Sequence, residues 1–68
     1  MKISARNQIS GTVTAITPGA VNGSVKIKVG DGNVITSNIT EEAIDELGLA
    51  VGDTVTVIIK ASDVLIGK

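Results

Sequence analysis

The sequence has no cysteine, no histidine and no aromatic residue, and it contains a single proline. Without Cys there can be no disulfide staple, and without Cys or His a structural zinc site lacks its usual ligands. The same absences remove the Ser-His and Cys-His nucleophile pairs and the commonest general acid-base side chain, so the chain is expected not to be an enzyme. Without Phe, Tyr or Trp there is no platform for stacking bases. Charge of either sign is sparse: six Lys and Arg against seven Asp and Glu give a net charge of -1. The basic residues Lys2, Arg6, Lys26, Lys28, Lys60 and Lys68 are scattered, which gives no electrostatic case for a nucleic-acid partner. No apolar run approaches the roughly 20 residues of a membrane span, and Met1 to Arg6 has no signal-peptide core. A soluble protein of the cytoplasm, with no membrane partner, is the expectation.

What is present is a dense aliphatic content in a short chain. Residues 1–68 read as one domain, and 43% of them are hydrophobic. A domain of this size buries only roughly 60% of its unfolded surface, which leaves stability marginal unless something staples it. With disulfide and zinc excluded, either self-assembly or an exceptionally well packed aliphatic core must serve. Assembly fits better, because it gives the excess Val, Ile and Leu surface somewhere to go.

Periodicity supplies the elements. Ile9, Gly11, Val13 and Ala15 alternate with Gln8, Ser10, Thr12 and Thr14, the pattern of a half-buried strand that begins near Lys2 and bends at Gly11. Pro18-Gly19 breaks it, and Asn22-Gly23 reads as a turn. Val25, Ile27 and Val29 then point inward from a second strand, Gly30-Asp31-Gly32-Asn33 makes a hairpin, and Val34 to Ile39 returns as a third. Thr40 to Gly48 reads as a short helix with Thr40 as its N-cap and Ala43, Ile44 and Leu47 as its apolar stripe. Thr54 to Lys60 and Val64-Leu65-Ile66 are two further strands. The predicted fold class is all-β: a five-stranded OB-like barrel with one short helix between strands 3 and 4. Because periodicity does not fix which strands pair, an SH3-like or split barrel stays open.

The polar residues suit anion recognition better than catalysis. Glu41, Glu42, Asp45 and Glu46 are the solvated acids expected early in a helix, and Gly30-Asp31-Gly32-Asn33 is too short and acid-poor for a calcium loop, so no metal cation site is expected. Donors for a small anion stand in three places: Ser4-Ala5-Arg6-Asn7, Thr40 at the helix start, and Lys60-Ala61-Ser62. Composition alone does not distinguish them from ordinary surface residues.

The stretch Ser4-Ala5-Arg6-Asn7-Gln8-Ile9-Ser10-Gly11, with Gly48-Leu49-Ala50-Val51-Gly52-Asp53 and the distant Lys60-Ala61-Ser62, resembles the Mop family, the molbindins. The likeness runs over essentially the whole chain. It implies an OB-like barrel and a homo-oligomer, a hexamer built as a trimer of dimers, that holds molybdate or tungstate for storage or homeostasis. The implied ligand is the oxyanion itself, with no organic cofactor. The same domain occurs fused to transcription regulators and transporter ATPases; with no DNA-reading segment or phosphate loop in this sequence, the free-standing role is favoured.

The resemblance further implies an anion site between subunits, drawn from Ser4, Ala5, Arg6, Thr40, Lys60, Ala61 and Ser62. Where a related regulator domain has a serine three residues after the helix threonine, this chain has Ala43, so a backbone N–H or water replaces that hydroxyl. A second anion site on a threefold axis points to Val21-Asn22-Gly23. The other reading of the same features is a structural oligomerisation module without a functional anion site.

Overall fold

Alternating Thr, Ser and Gln with Ile and Val carry the chain from Asn7 to Thr17 as one strand, β1, in a computed structural model that describes residues 1–68. Three more strands follow, β2 (Asn22–Val29), β3 (Asn33–Thr40) and β4 (Thr54–Ile59), with a helix, α1 (Glu41–Leu47), before the last. Neighbouring strands are antiparallel and the sheet order is β3-β2-β1-β4. β1 serves two partners in succession: Asn7 to Thr12 pairs with β4, and Thr12 to Thr17 with β2. The exchange falls at Gly11 and Thr12. A Cβ on Gly11 would lie 2.5 Å from Ile27 Cγ2 and 2.8 Å from the Lys28 carbonyl oxygen, so only glycine lets β2 approach so closely.

One residue beyond that crossing the alternation shifts. Val13 stands opposite Ile27, but the next pair is Ala15 with Lys26, which leaves Thr14 as the extra residue of a β-bulge. The side-chain period therefore changes phase, and Ile16, opposite Val25, takes the inner position expected for Ala15. Ala15 instead shares its face with Lys26.

The Asn22-Gly23 pair is not a turn. Both residues lie in β2, Asn22 paired with Thr40 and Gly23 with Ile39, and Gly23 does not adopt a positive φ. Glycine is required there for room: a Cβ would lie 2.6 Å from both Glu41 Oε1 and Ile44 Cδ1. The β2–β3 hairpin is the one expected, with Val29 opposite Asn33 around Gly30-Asp31-Gly32. α1 also starts and stops where expected. Thr40 Oγ1 accepts from the Ala43 amide at 3.1 Å, and Gly48 ends the helix in the left-handed conformation at φ 60°.

Val13, Val25, Ile27 and Ile44 form the core, with Ile16, Val29, Ile39, Leu49, Val55 and Val57 packed around it. Of the helix stripe, only Ile44 is buried; Ala43 is half-buried and Leu47 is 68% exposed. Four buried aliphatic side chains are a thin core, and the reason lies at the open side of the sheet. The predicted fifth strand is absent. After β4, Ala61–Asp63 makes a single 3₁₀ turn, with the Asp63 amide bonded to the Lys60 carbonyl at 2.8 Å. The chain then leaves as irregular structure, with Leu65 91% and Ile66 88% exposed. A strand exists by pairing rather than by propensity, and the tail pairs with no edge of its own sheet. For the same reason β1 begins at Asn7 and not near Lys2: β4 ends opposite Asn7, so residues 2 to 6 have no partner strand. The architecture is an all-β, OB-like sheet with one short helix, open between β3 and β4 in place of a closed five-stranded barrel. An apolar groove of about 590 Å³ opens on this side, lined by Val55, Val57, Ile39, Leu47 and Leu49 among others.

Candidate functional site

Pairing of Asn7 with Ile59 brings the first and last donor segments together. Arg6 and Lys60 are the next residues on either side of that pair, so they flank one end of the β1–β4 ladder. Two side-chain bonds hold the junction. Asn7 Nδ2 donates to the Ile59 carbonyl at 3.2 Å, and Gln8 Nε2 donates to the Ala5 carbonyl at 2.9 Å. These are the Asn and Gln of the SARNQ motif, and their bonds fix the backbone next to Arg6.

The ligand-binding potential at this end is mostly that of donors. Ser4, Arg6, Lys60, Ala61 and Ser62 are exposed and Ala5 is half-buried. The chain's own side-chain hydrogen bonds leave Arg6 and Lys60 unused. In the turn after Lys60, the first amides, on Ala61 and Ser62, have no carbonyl within the turn to bond, as at any helix start. Two cations, two hydroxyls and two amides thus lie within about three residues along the chain of the Asn7–Ile59 pair, with Asp63 as the one acid in the turn.

Thr40 is elsewhere. It ends β3 opposite Asn22, beyond the point where β1 and β2 finish pairing at Thr17 and Ser24. The second candidate group lies with it, because the Glu41 amide donates to the Val21 carbonyl at 2.8 Å and Asn22 is Thr40's ladder partner. Of Val21, Asn22 and Gly23, only Val21 is in a loop, where it is 72% exposed. Ala43 does not supply a free donor beside Thr40, since its amide is already given to the Thr40 oxygen. The Thr40 hydroxyl hydrogen remains available to donate.

The seven candidate residues therefore fall into two groups at opposite ends of one sheet. Ten residue steps of β1, with the bulge at Thr14 among them, separate Asn7 from Thr17, and the ladders put Arg6 and Lys60 beyond one end of β1 and Thr40 beyond the other. One chain does not bring Thr40 to Arg6. No cluster of three or more His, Cys, Asp or Glu side chains occurs, and no helix is long and apolar enough to cross a membrane.

The TOBE domain family matches residues 3–66. The chain belongs to the TOBE domain family. It is 49% identical over 67 residues to a probable molybdenum-pterin-binding protein of Haemophilus influenzae, spanning 98% of this chain and 97% of that one. Among solved structures, MopII from Clostridium pasteurianum, in an apo form, superposes with a TM-score of 0.93 at 39% identity, over 98% of this chain and 100% of its own. The cytoplasmic molybdate-binding protein ModG, with molybdate bound, superposes with a TM-score of 0.91 at 46% identity; the match spans 96% of this chain and 46% of ModG. These relatives agree with membership of the Mop family, to which the SARNQ and Lys-Ala-Ser motifs point.

Proposed function

We propose that this protein binds molybdate or tungstate, with no catalytic role, at sites completed between copies of itself. The observation that carries the reading is the junction of Arg6 and Lys60 beside the Asn7–Ile59 pair, in a chain similar over nearly its whole length to a molybdate-bound protein. Molybdate near neutral pH is a tetrahedral dianion with four acceptor oxygens and no proton to donate. Arg6 and Lys60 balance its two charges. Ser4 and Ser62 hydroxyls and the amides around Ala5 and Ala61 orient it, each charge-assisted hydrogen bond contributing about 1.5 to 3 kcal/mol net of exchange with water. Phosphate carries a proton at this pH, which a site made mostly of donors receives poorly, while sulfate, of the same shape and charge, is discriminated by size.

Thr40 joins the site from a second copy. Its distance from Arg6 within one chain favours this, and so does the surface left for assembly. The tail Val64-Leu65-Ile66 is exposed and the groove between β3 and β4 is open and apolar, so a neighbour's tail seated there would cover both. Burying Leu65 and Ile66 is worth about 1.5 to 3 kcal/mol for each side chain, large beside the stability of a domain this small. A hexamer arranged as a trimer of dimers satisfies these requirements. It also brings several copies of Val21-Asn22-Gly23 to its axis as a second anion site. The cellular role is oxyanion storage or homeostasis in the cytoplasm, without nucleic acid or membrane as partner.

Calorimetric titration with molybdate, tungstate and sulfate, paired with native mass spectrometry, tests the reading. Expected are heat with molybdate and tungstate, little with sulfate, and an assembly whose bound anions number no more than its interfaces and axial sites allow. A folded oligomer that takes up none of the three would leave only a structural assembly module.

A further inference from the structure

Glu41 differs from the other acids of its helix. Glu42, Asp45 and Glu46 are exposed, as solvated acids on a short helix should be, whereas Glu41 is half-buried and has two polar partners outside the helix. Its amide donates to the Val21 carbonyl at 2.8 Å, and its Oε1 accepts from the Gly19 amide at 2.7 Å. The same oxygen lies 2.6 Å from where a Cβ on Gly23 would be, so the missing side chain of Gly23 leaves room for the carboxylate. One residue thus ties the loop of Pro18 to Val21 to the helix start at two points, next to Thr40.

We infer that Glu41 is a positioning residue for the oxyanion site: its carboxylate, turned inward onto the Gly19 amide, holds the 18–21 loop against Thr40 and orders that end before an anion arrives. This rests on the proposed reading that Thr40 and its surroundings form half of the site. A negative group beside a dianion site is otherwise unfavourable. Its presence there is explained if the oxygen serves as an acceptor for Gly19 and its charge does not matter. Glutamine keeps that acceptor and removes the charge, while alanine removes both.

The two substitutions separate the possibilities. Glu41→Ala should weaken molybdate binding about tenfold, the scale of losing one ordered side chain and its loop. Glu41→Gln should bind as tightly as the unmodified protein, or tighter. Amide exchange at Gly19 gives a readout that needs no ligand: it should be faster in Glu41→Ala and unchanged in Glu41→Gln. Wild-type affinity in Glu41→Ala would overturn the role, and so would tighter binding in both variants, which would make Glu41 merely a repelling charge. Should the unmodified protein bind no oxyanion, the reading of the site falls and this role with it. That failure is distinct, because it appears before any substitution is compared.

Discussion

Asn7 stands opposite Ile59 and gives its side-chain amide to the Ile59 carbonyl at 3.2 Å, and this one register sets Arg6 beside Lys60. Segments more than fifty residues apart in the chain become one cationic end of a sheet through a strand pairing that has nothing to do with charge. The proposed anion site therefore depends on the β1–β4 ladder being in register.

Removing either cation should cost binding and leave the fold intact, since both side chains are exposed. Arg6→Ala is expected to lose about 2 to 4 kcal/mol of molybdate affinity, the range for one partner of a hydrogen-bonded charge pair. Lys60→Ala should lose affinity in the same direction with an unchanged unfolding midpoint. Calorimetric titration of each variant beside urea denaturation checks both. An Arg6→Ala protein with full affinity would remove Arg6 from the site.

Thr40 has two duties that a pair of substitutions can separate. Its oxygen caps α1 by accepting from the Ala43 amide, and its hydroxyl hydrogen is free to donate to an anion. Thr40→Asp keeps the cap and puts a carboxylate where a dianion should sit, so stability should hold while molybdate binding disappears. Thr40→Ala should lose about 1 kcal/mol of stability as well as affinity. Thermal unfolding and titration of the two variants side by side distinguish a cap from a ligand.

The exposed tail should be needed for assembly and not for the fold of the sheet. Leu65 is 91% exposed, so Leu65→Asp alters nothing packed in the single chain. It is expected to shift the protein to smaller species in native mass spectrometry and to reduce oxyanion binding in parallel. Retention of both the full assembly and full affinity would mean that the tail is not seated on a neighbour.

Gly11→Ala tests the close approach of β2 to β1. The added methyl meets the Lys28 carbonyl oxygen at 2.8 Å, and backbone cannot move aside as a flexible side chain can. A loss of about 1 to 3 kcal/mol is expected from overpacking, read as a lower midpoint of urea unfolding.

Much of this was legible in local patterns. The hairpin at Gly30 to Gly32, the cap at Thr40 and the stop at Gly48 each depend on residues within a few positions of one another, and the sequence shows them directly. The changes came where a distant partner decides. Asn22-Gly23 has the composition of a turn, yet Gly23 is there because Glu41 and Ile44 occupy the space of a side chain. Thr14 is ordinary in an alternating strand, yet it bulges and hands the inner face from Ala15 to Ile16. Glu41 looked like any first-turn acid until its bond to Gly19 was seen.

By itself, the sequence determined that neither a disulfide nor a Cys/His zinc site can staple this protein, and that its elements are strands with one short helix. These follow from composition and period, which are properties of the chain taken a few residues at a time, whereas the expectation of an anion site in the SAR, Thr40 and Lys-Ala-Ser segments came from the family resemblance. Only the tertiary structure decided that Val64 to Ile66 is a free tail and not a fifth strand, and that Thr40 stands at the far end of the sheet from Arg6 and Lys60. Strand pairing is a relation between segments, set by backbone hydrogen bonds and the packing of one face, and those partners are distant in sequence.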